Sequence, residues 1–102
     1  MKGYIKVHRK IQKSSIWVDP FKFKLWMLCL MKASHSDTET LIGNQLIKLE
    51  KGQFPTGRDA LEREFNAGVT KKNRVTGLTL FRWLELFEKL EMLTSKKLIN
   101  IR

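Results

Sequence analysis

Between Leu80 and Leu90 the chain sets Leu80, Trp83, Leu84, Phe87 and Leu90 at i, i+3, i+4, i+7 and i+10, one face of an α-helix. A stripe this regular constrains the fold, because a short amphipathic helix is stable only when other elements cover its apolar face. The opposite side presents Phe81, Arg82, Glu85 and Lys89, and Thr79 is the expected N-cap. Just upstream, VTKKNRVTGLT carries Lys71, Lys72 and Arg74 without an acid. Just downstream, TSKKLINIR has the pattern of a minimal hairpin, with Leu93 to Ser95 pairing with Leu98 to Ile101 around Lys96-Lys97. Lys-Lys suits a type I′ turn poorly, so the tip is the least defined part of that hairpin.

The covering body has to come from the first two-thirds of the chain. Residues 4–7 alternate like a short strand, and His8 to Lys13 fits one or two helical turns. Asp19 is a good N-cap and Pro20 suits the first helical position, so PFKFKLWMLCLMKAS is expected to form a helix of about four turns. Phe21, Leu25, Leu28 and Cys29 share one side of it, while Phe23, Met27 and Leu30 point elsewhere and Lys22, Lys24 and Lys32 are scattered. A helix apolar almost all round is central to its fold or has a second partner, and the second case would allow self-association.

Short strands are expected near 41–43 and 46–49, followed by a turn at Lys51-Gly52 and by Gln53-Phe54 leading into the next helix. Thr56-Gly57-Arg58-Asp59 has capping-box spacing. Ala60, Leu61, Glu64 and Phe65 then share a side, and Asn66-Ala67-Gly68 stops the helix, with Gly68 suited to a left-handed C-cap. Helix, strand, helix, helix, hairpin is an α+β, mainly α order. It is the order of a winged helix-turn-helix with a short C-terminal β-wing, here as one domain over residues 1–102.

Charge separates the function classes. Lys and Arg number 20 against 10 Asp and Glu, a net charge of +10 that favours a polyanionic partner. Residues 1–18 hold Lys2, Lys6, Arg9, Lys10 and Lys13 and no acid; residues 66–84 hold Lys71, Lys72, Arg74 and Arg82 and no acid. The tail adds Lys96, Lys97 and Arg102, so the remainder is slightly acidic. Such segregation marks a face rather than general solubility.

Catalysis has no visible constellation. His8 and His35 are the only histidines, the six glycines are dispersed, and Asp59, Glu62 and Glu64 read as a solvated face. A single cysteine, Cys29, offers neither a disulfide framework nor a metal cluster and reads as a buried small hydrophobe. The expectation is therefore no enzyme, no cofactor and no metal. Without a run of ~18 apolar residues, and with no apolar signal core in MKGYIKVHRK, the chain is expected to be cytoplasmic. A membrane-surface role fits least, because the basic residues flank a packed domain instead of forming one basic amphipathic helix.

The residues from Gly3 to His35 and the stretch LIGNQLIKLEKGQFPTG carry a resemblance. Its echoes are Gly3-Tyr4-Ile5-Lys6, Lys24-Leu25-Trp26, the run Gly52 to Arg58, and Thr79-Leu80-Phe81-Arg82-Trp83-Leu84. In these the chain resembles the winged-helix N-terminal region of phage replisome-organiser proteins, relatives of the DnaD-type primosome proteins of Gram-positive bacteria. The likeness extends over nearly the whole chain, and Gly52 to Arg58 is its most specific part. It implies a winged helix, a part in replication initiation on a mobile element, and a tendency to self-associate. The second, C-terminal domain of many relatives has no counterpart in this chain.

Taken together, these features lead to a DNA-binding module that grips phosphates with weak sequence readout, on duplex, single-stranded or forked DNA. Lys71, Lys72, Arg74, Lys96 and Lys97 are the expected phosphate contacts, with Thr79, Phe81 and Arg82 on the helix between them. Lys6, Arg9, Lys10 and Lys13 form a second basic surface that extends the first or lines a separate strand-binding groove. Arg82, at the third helical position if Thr79 caps, would sit against the helix dipole and point to an anion nearby or to an ion pair with Glu85 or a neighbouring acid. The near-neutral helix face argues mildly against the third reading, a sequence-selective transcriptional repressor. The runner-up is a protein-interaction module that docks on a replication protein, or on its own copy, through the apolar central helix.

Overall fold

Asp19 sets the start of helix α1 (Pro20–Lys32). Its Oδ1 accepts the N–H groups of Phe21 at 3.0 Å and Lys22 at 3.3 Å, while Oδ2 accepts the Lys22 ammonium at 2.9 Å. Pro20 at the first position loses nothing, since its missing N–H would have had no helical partner. The computed structural model describes residues 4–95 and 98–101. After α1 come strands β1 (Thr38–Ile42), β2 (Gln45–Leu49) and β3 (Gln53–Phe54), helices α2 (Arg58–Phe65) and α3 (Gly77–Lys89), and strands β4 (Leu93–Ser95) and β5 (Ile99–Ile101). Single 3₁₀ turns occupy Arg9–Lys13 and Lys71–Asn73. The molecule is α+β, with three α-helices and two small antiparallel sheets among the described residues.

The core forms where α1, α2 and α3 meet the second sheet. Leu25, Trp26 and Cys29 from α1 join Leu61 and Phe65 from α2 and Leu80, Leu84 and Phe87 from α3, and Phe54, Leu93 and Ile99 close it from the strands. Trp26 meets Phe87 edge-on at 5.7 Å between ring centroids, a favoured aromatic arrangement. Of the helical stripe, Leu80, Leu84 and Phe87 are buried, Trp83 is half-buried, and Leu90 is left exposed beyond the end of α3.

The scattered lysines of α1 are ties to its neighbours. The Lys24 ammonium donates to the carbonyl of Phe65 at 2.7 Å, satisfying a terminal acceptor of α2, and stands 4.5 Å from the Phe65 ring centroid. Lys32 reaches both carboxylate oxygens of Glu64, at 2.7 and 2.8 Å. Helix α1 is thus central to the fold, although Phe21 and Met31 stay exposed.

Strands β1 and β2 are longer than the sequence pattern suggested, one strand was not foreseen, and one expected strand is not formed. Strands β1 and β2 form a hairpin across Gly43-Asn44, with Leu41 opposite Leu46 and both side chains exposed. Gln53-Phe54, expected only as a lead-in to a helix, pairs with β5, giving the sheet order β3-β5-β4. Two residues carry no periodicity, so only the partner reveals such a strand. Strand β5 starts at Ile99, which faces Ser95, and Leu98 belongs to the connection. Residues 4–7 are not a strand, and no backbone hydrogen bond among the described residues joins them to a sheet. His8 closes that segment by accepting the Lys10 N–H on Nδ1 at 3.1 Å, which caps the 3₁₀ turn.

Two expected caps are displaced. Helix α2 begins after Gly57, which makes no side-chain capping bond, and the Thr56 hydroxyl is buried without a partner among the described residues. Helix α3 is capped by Thr76, three residues before the expected Thr79.

Burial pushes the Cys29 thiol up to about 12, so the reactive thiolate is scarce in the folded protein. Alkylation at pH 8 should therefore proceed only through unfolding, with a rate that rises steeply across the denaturant transition; fast labelling without denaturant would contradict this burial. The hydrogen bond from the Lys22 ammonium holds the Asp19 carboxyl below its ordinary value. A depressed carboxylate stabilises the fold above its unfolded-state value and loses that effect as pH falls through the folded one. Asp19→Ala should cost about 0.5–2 kcal/mol at neutral pH and flatten the acid limb of a stability–pH curve, measured by urea denaturation.

Candidate nucleic-acid interface

The basic segment between α2 and α3 is fastened at both ends by one side chain. The Asn66 amide donates to the carbonyls of Glu62 and Val75, each at 2.8 Å, and its Oδ1 accepts the Val75 N–H at 2.9 Å. Gly68, at φ +77°, supplies the left-handed step that turns the chain off α2, as its position suggested. Inside the loop, Asn73 N–H bonds the Thr70 carbonyl at 2.9 Å, and Arg74 Nε bonds the Val69 carbonyl at 3.2 Å. Lys71 and Lys72 are therefore exposed on a short 3₁₀ turn with internal braces.

The entry to α3 is equally determined. Thr76 Oγ1 accepts the Thr79 N–H at 3.3 Å, and Glu62 Oε1, reaching from α2, accepts the Gly77 N–H at 2.6 Å. A carboxylate on the first N–H of a helix is a charge-assisted contact that the helix dipole favours. Only glycine fits at position 77. A Cβ there would lie 2.5 Å from Arg58 Cγ and 2.7 Å from the Arg58 carbonyl oxygen, so the first turns of α2 and α3 touch backbone to backbone.

Each expected site residue can now be located. Lys71, Lys72 and Arg74 are exposed in the braced loop, and Arg82 is exposed on α3. Since α3 begins at Gly77, Arg82 lies three residues deeper than expected, beyond the first turn where the dipole acts. It takes part in neither ion pair found among the described residues, Lys22 with Asp19 and Lys32 with Glu64. Thr79 is half-buried, with its hydroxyl 3.0 Å from that of Thr76. Phe81 is half-buried against the core. Lys96 and Lys97 lie outside the described residues.

The second basic surface is separate. Lys6, Lys10 and Lys13 border a groove with Leu90 and Ile101, at the C-terminal end of α3, whereas Lys71 to Arg74 precede its N-terminal end. A helix the length of α3 keeps these ends roughly 20 Å apart. Arg9 is exposed on the same 3₁₀ turn as Lys10 and Lys13.

Three positions that shape this surface were not foreseen. Asn66 reads in the sequence as a helix stop, and Glu62 as a solvated acid. Leu78 is an exposed apolar side chain one turn before Arg82 on the same face. Only Asn66 had a local signal, since an amide at a helix end is often a cap. Glu62 acts across fifteen residues and had none.

Among the described residues, no group of three or more His, Cys, Asp or Glu could hold a metal ion, and no helix is long and apolar enough to cross a membrane. Comparison of the chain with known protein families, with curated proteins and with solved structures found no match.

Asn66→Ala should leave the half-buried Val75 N–H without its acceptor and cost about 1–3 kcal/mol. Asn66→Asp retains that acceptor but sets a carboxylate oxygen against the carbonyls of Glu62 and Val75 at the C-terminal end of α2, so it should cost at least as much. Denaturation midpoints and amide exchange at Val75 would measure both; unchanged stability and exchange in both variants would remove the latch from the account.

Proposed function

We propose that this chain is a winged-helix module that holds DNA through phosphate contacts, with little base readout, in the replication of a phage or plasmid. The fold part of the reading is supported by connectivity. Helix α1, strand β3, helices α2 and α3, and strands β4 and β5 follow one another in the winged-helix order, and the sheet order β3-β5-β4 sets the last hairpin beside the strand that precedes α2. Hairpin β1–β2 is then an insertion between α1 and β3. The replication context rests on the sequence resemblance.

The observation that carries the DNA reading is the braced loop immediately before α3, with Lys71, Lys72 and Arg74 exposed and no acid between Asn66 and Leu84. A rigid basic turn loses little freedom on meeting a phosphate. Weak base readout follows from the exposed residues of α3, where Leu78, Arg82, Glu85, Glu88 and Lys89 include only two donor side chains and two acids. Phe81 lies half-buried, which favours phosphate contacts over stacking on an unpaired base.

Fluorescence anisotropy on duplex, forked and single-stranded oligonucleotides across a salt series tests this. If about five phosphates are neutralised, log affinity should fall against log salt with a slope of about −4 to −5 on duplex. Lys71→Glu with Lys72→Glu should flatten that slope by about 2 and weaken unrelated duplexes alike. Absence of binding at low salt, or an unchanged slope in the double variant, would refute the proposal.

A further inference from the structure

A second surface on this molecule has a different chemistry from the loop before α3. The N-terminal segment runs along a groove of about 860 Å³ at the C-terminal end of α3. Trp26 and Leu30 from α1, Leu90 and Met92 from the turn after α3, and Ile101 from β5 contribute its apolar lining. Along one side stand Lys6, Lys10 and Lys13, all exposed, and Glu91 is the sole acid lining the groove. Val7 and Leu90 are each about two-fifths exposed, so apolar surface reaches the mouth.

We infer that this groove binds an acidic amphipathic helix of a partner protein. An apolar lining with a rim of one charge sign complements a helix whose one face is Leu-like and whose flanks are Asp or Glu. A single-stranded nucleic acid fits less well, because base stacking needs an open aromatic face. Trp26 is only 8% exposed, and His8, the other ring in the lining, is tied through Nδ1 to the Lys10 N–H. Aliphatic side chains in the lining and ammonium groups at the rim instead match leucines and carboxylates spaced by one helical turn. This does not depend on the DNA reading, since the two basic surfaces lie at opposite ends of α3.

The probe is a fluorescein-labelled peptide of Leu and Glu about four turns long, with leucines at i, i+3, i+4 and i+7. Its control has the same composition with the leucines scattered around the helix. Saturable binding of the patterned peptide is expected, at least about tenfold tighter than the scattered control. Lys6→Glu, Lys10→Glu and Lys13→Glu together should weaken it about tenfold or more, as reversal of three exposed charge contacts implies. Val7→Ser, in a segment outside every regular element, should weaken it without unfolding the domain, as circular dichroism would verify. Lys71→Glu with Lys72→Glu should leave peptide affinity unchanged whether or not it alters DNA binding. Equal binding of both peptides would reduce the groove to a general polyanion surface and overturn the inference. So would an unchanged affinity in the triple variant, or a single-stranded oligonucleotide that binds more tightly and is lost in that same variant.

Discussion

The placing of α3 and of the basic loop before it depends on the contact between the first turns of α2 and α3. Gly77 lies so close to Arg58 that no side chain could be added, and Glu62 takes the Gly77 N–H at 2.6 Å. One turn further along α2, Asn66 fastens Val75. Helix α3 is thereby fixed in start and direction, and the basic loop that feeds it is tied at both ends. Loosening that junction would leave the same charges on the chain but no fixed arrangement of them.

The acids and the bases of the chain have different occupations. Asp19, Asp37, Glu62, Glu64 and Glu88, five of the ten acids, accept hydrogen bonds from helix starts, strands or lysines. Among the basic side chains, Lys22, Lys24, Lys32 and Arg74 make comparable contacts. Half of the negative charge is thus committed to holding the fold, while most of the basic side chains among the described residues face solvent. Such an arrangement produces a directional field, which a uniformly mixed surface would not.

Much of the architecture was legible because its signals are local. The Asp19-Pro20 start, the stop at Gly68 and the burial of Leu80, Leu84 and Phe87 need only a capping side chain, a left-handed residue and a helical period. The start of α3 was not legible. Thr76-Gly77 looks like a loop by propensity, since glycine weakens helices, yet glycine is required there by the Arg58 backbone. Similarly, Gln53-Phe54 is a strand only because Asn100 and Ile99 lie beside it.

By itself, the sequence determined the helices, the buried stripe and the separation of charge into basic segments, because each follows from side-chain periodicity and local capping. The tertiary structure alone decided where those segments stand. It set the Lys71 to Arg74 loop and the Lys6 to Lys13 segment at opposite ends of α3, and moved Arg82 beyond the helix start. It also turned Glu62 from a surface acid into a helix cap. Contacts made across fifteen or more residues have no counterpart in local pattern, and they are what give this chain two distinct positive surfaces.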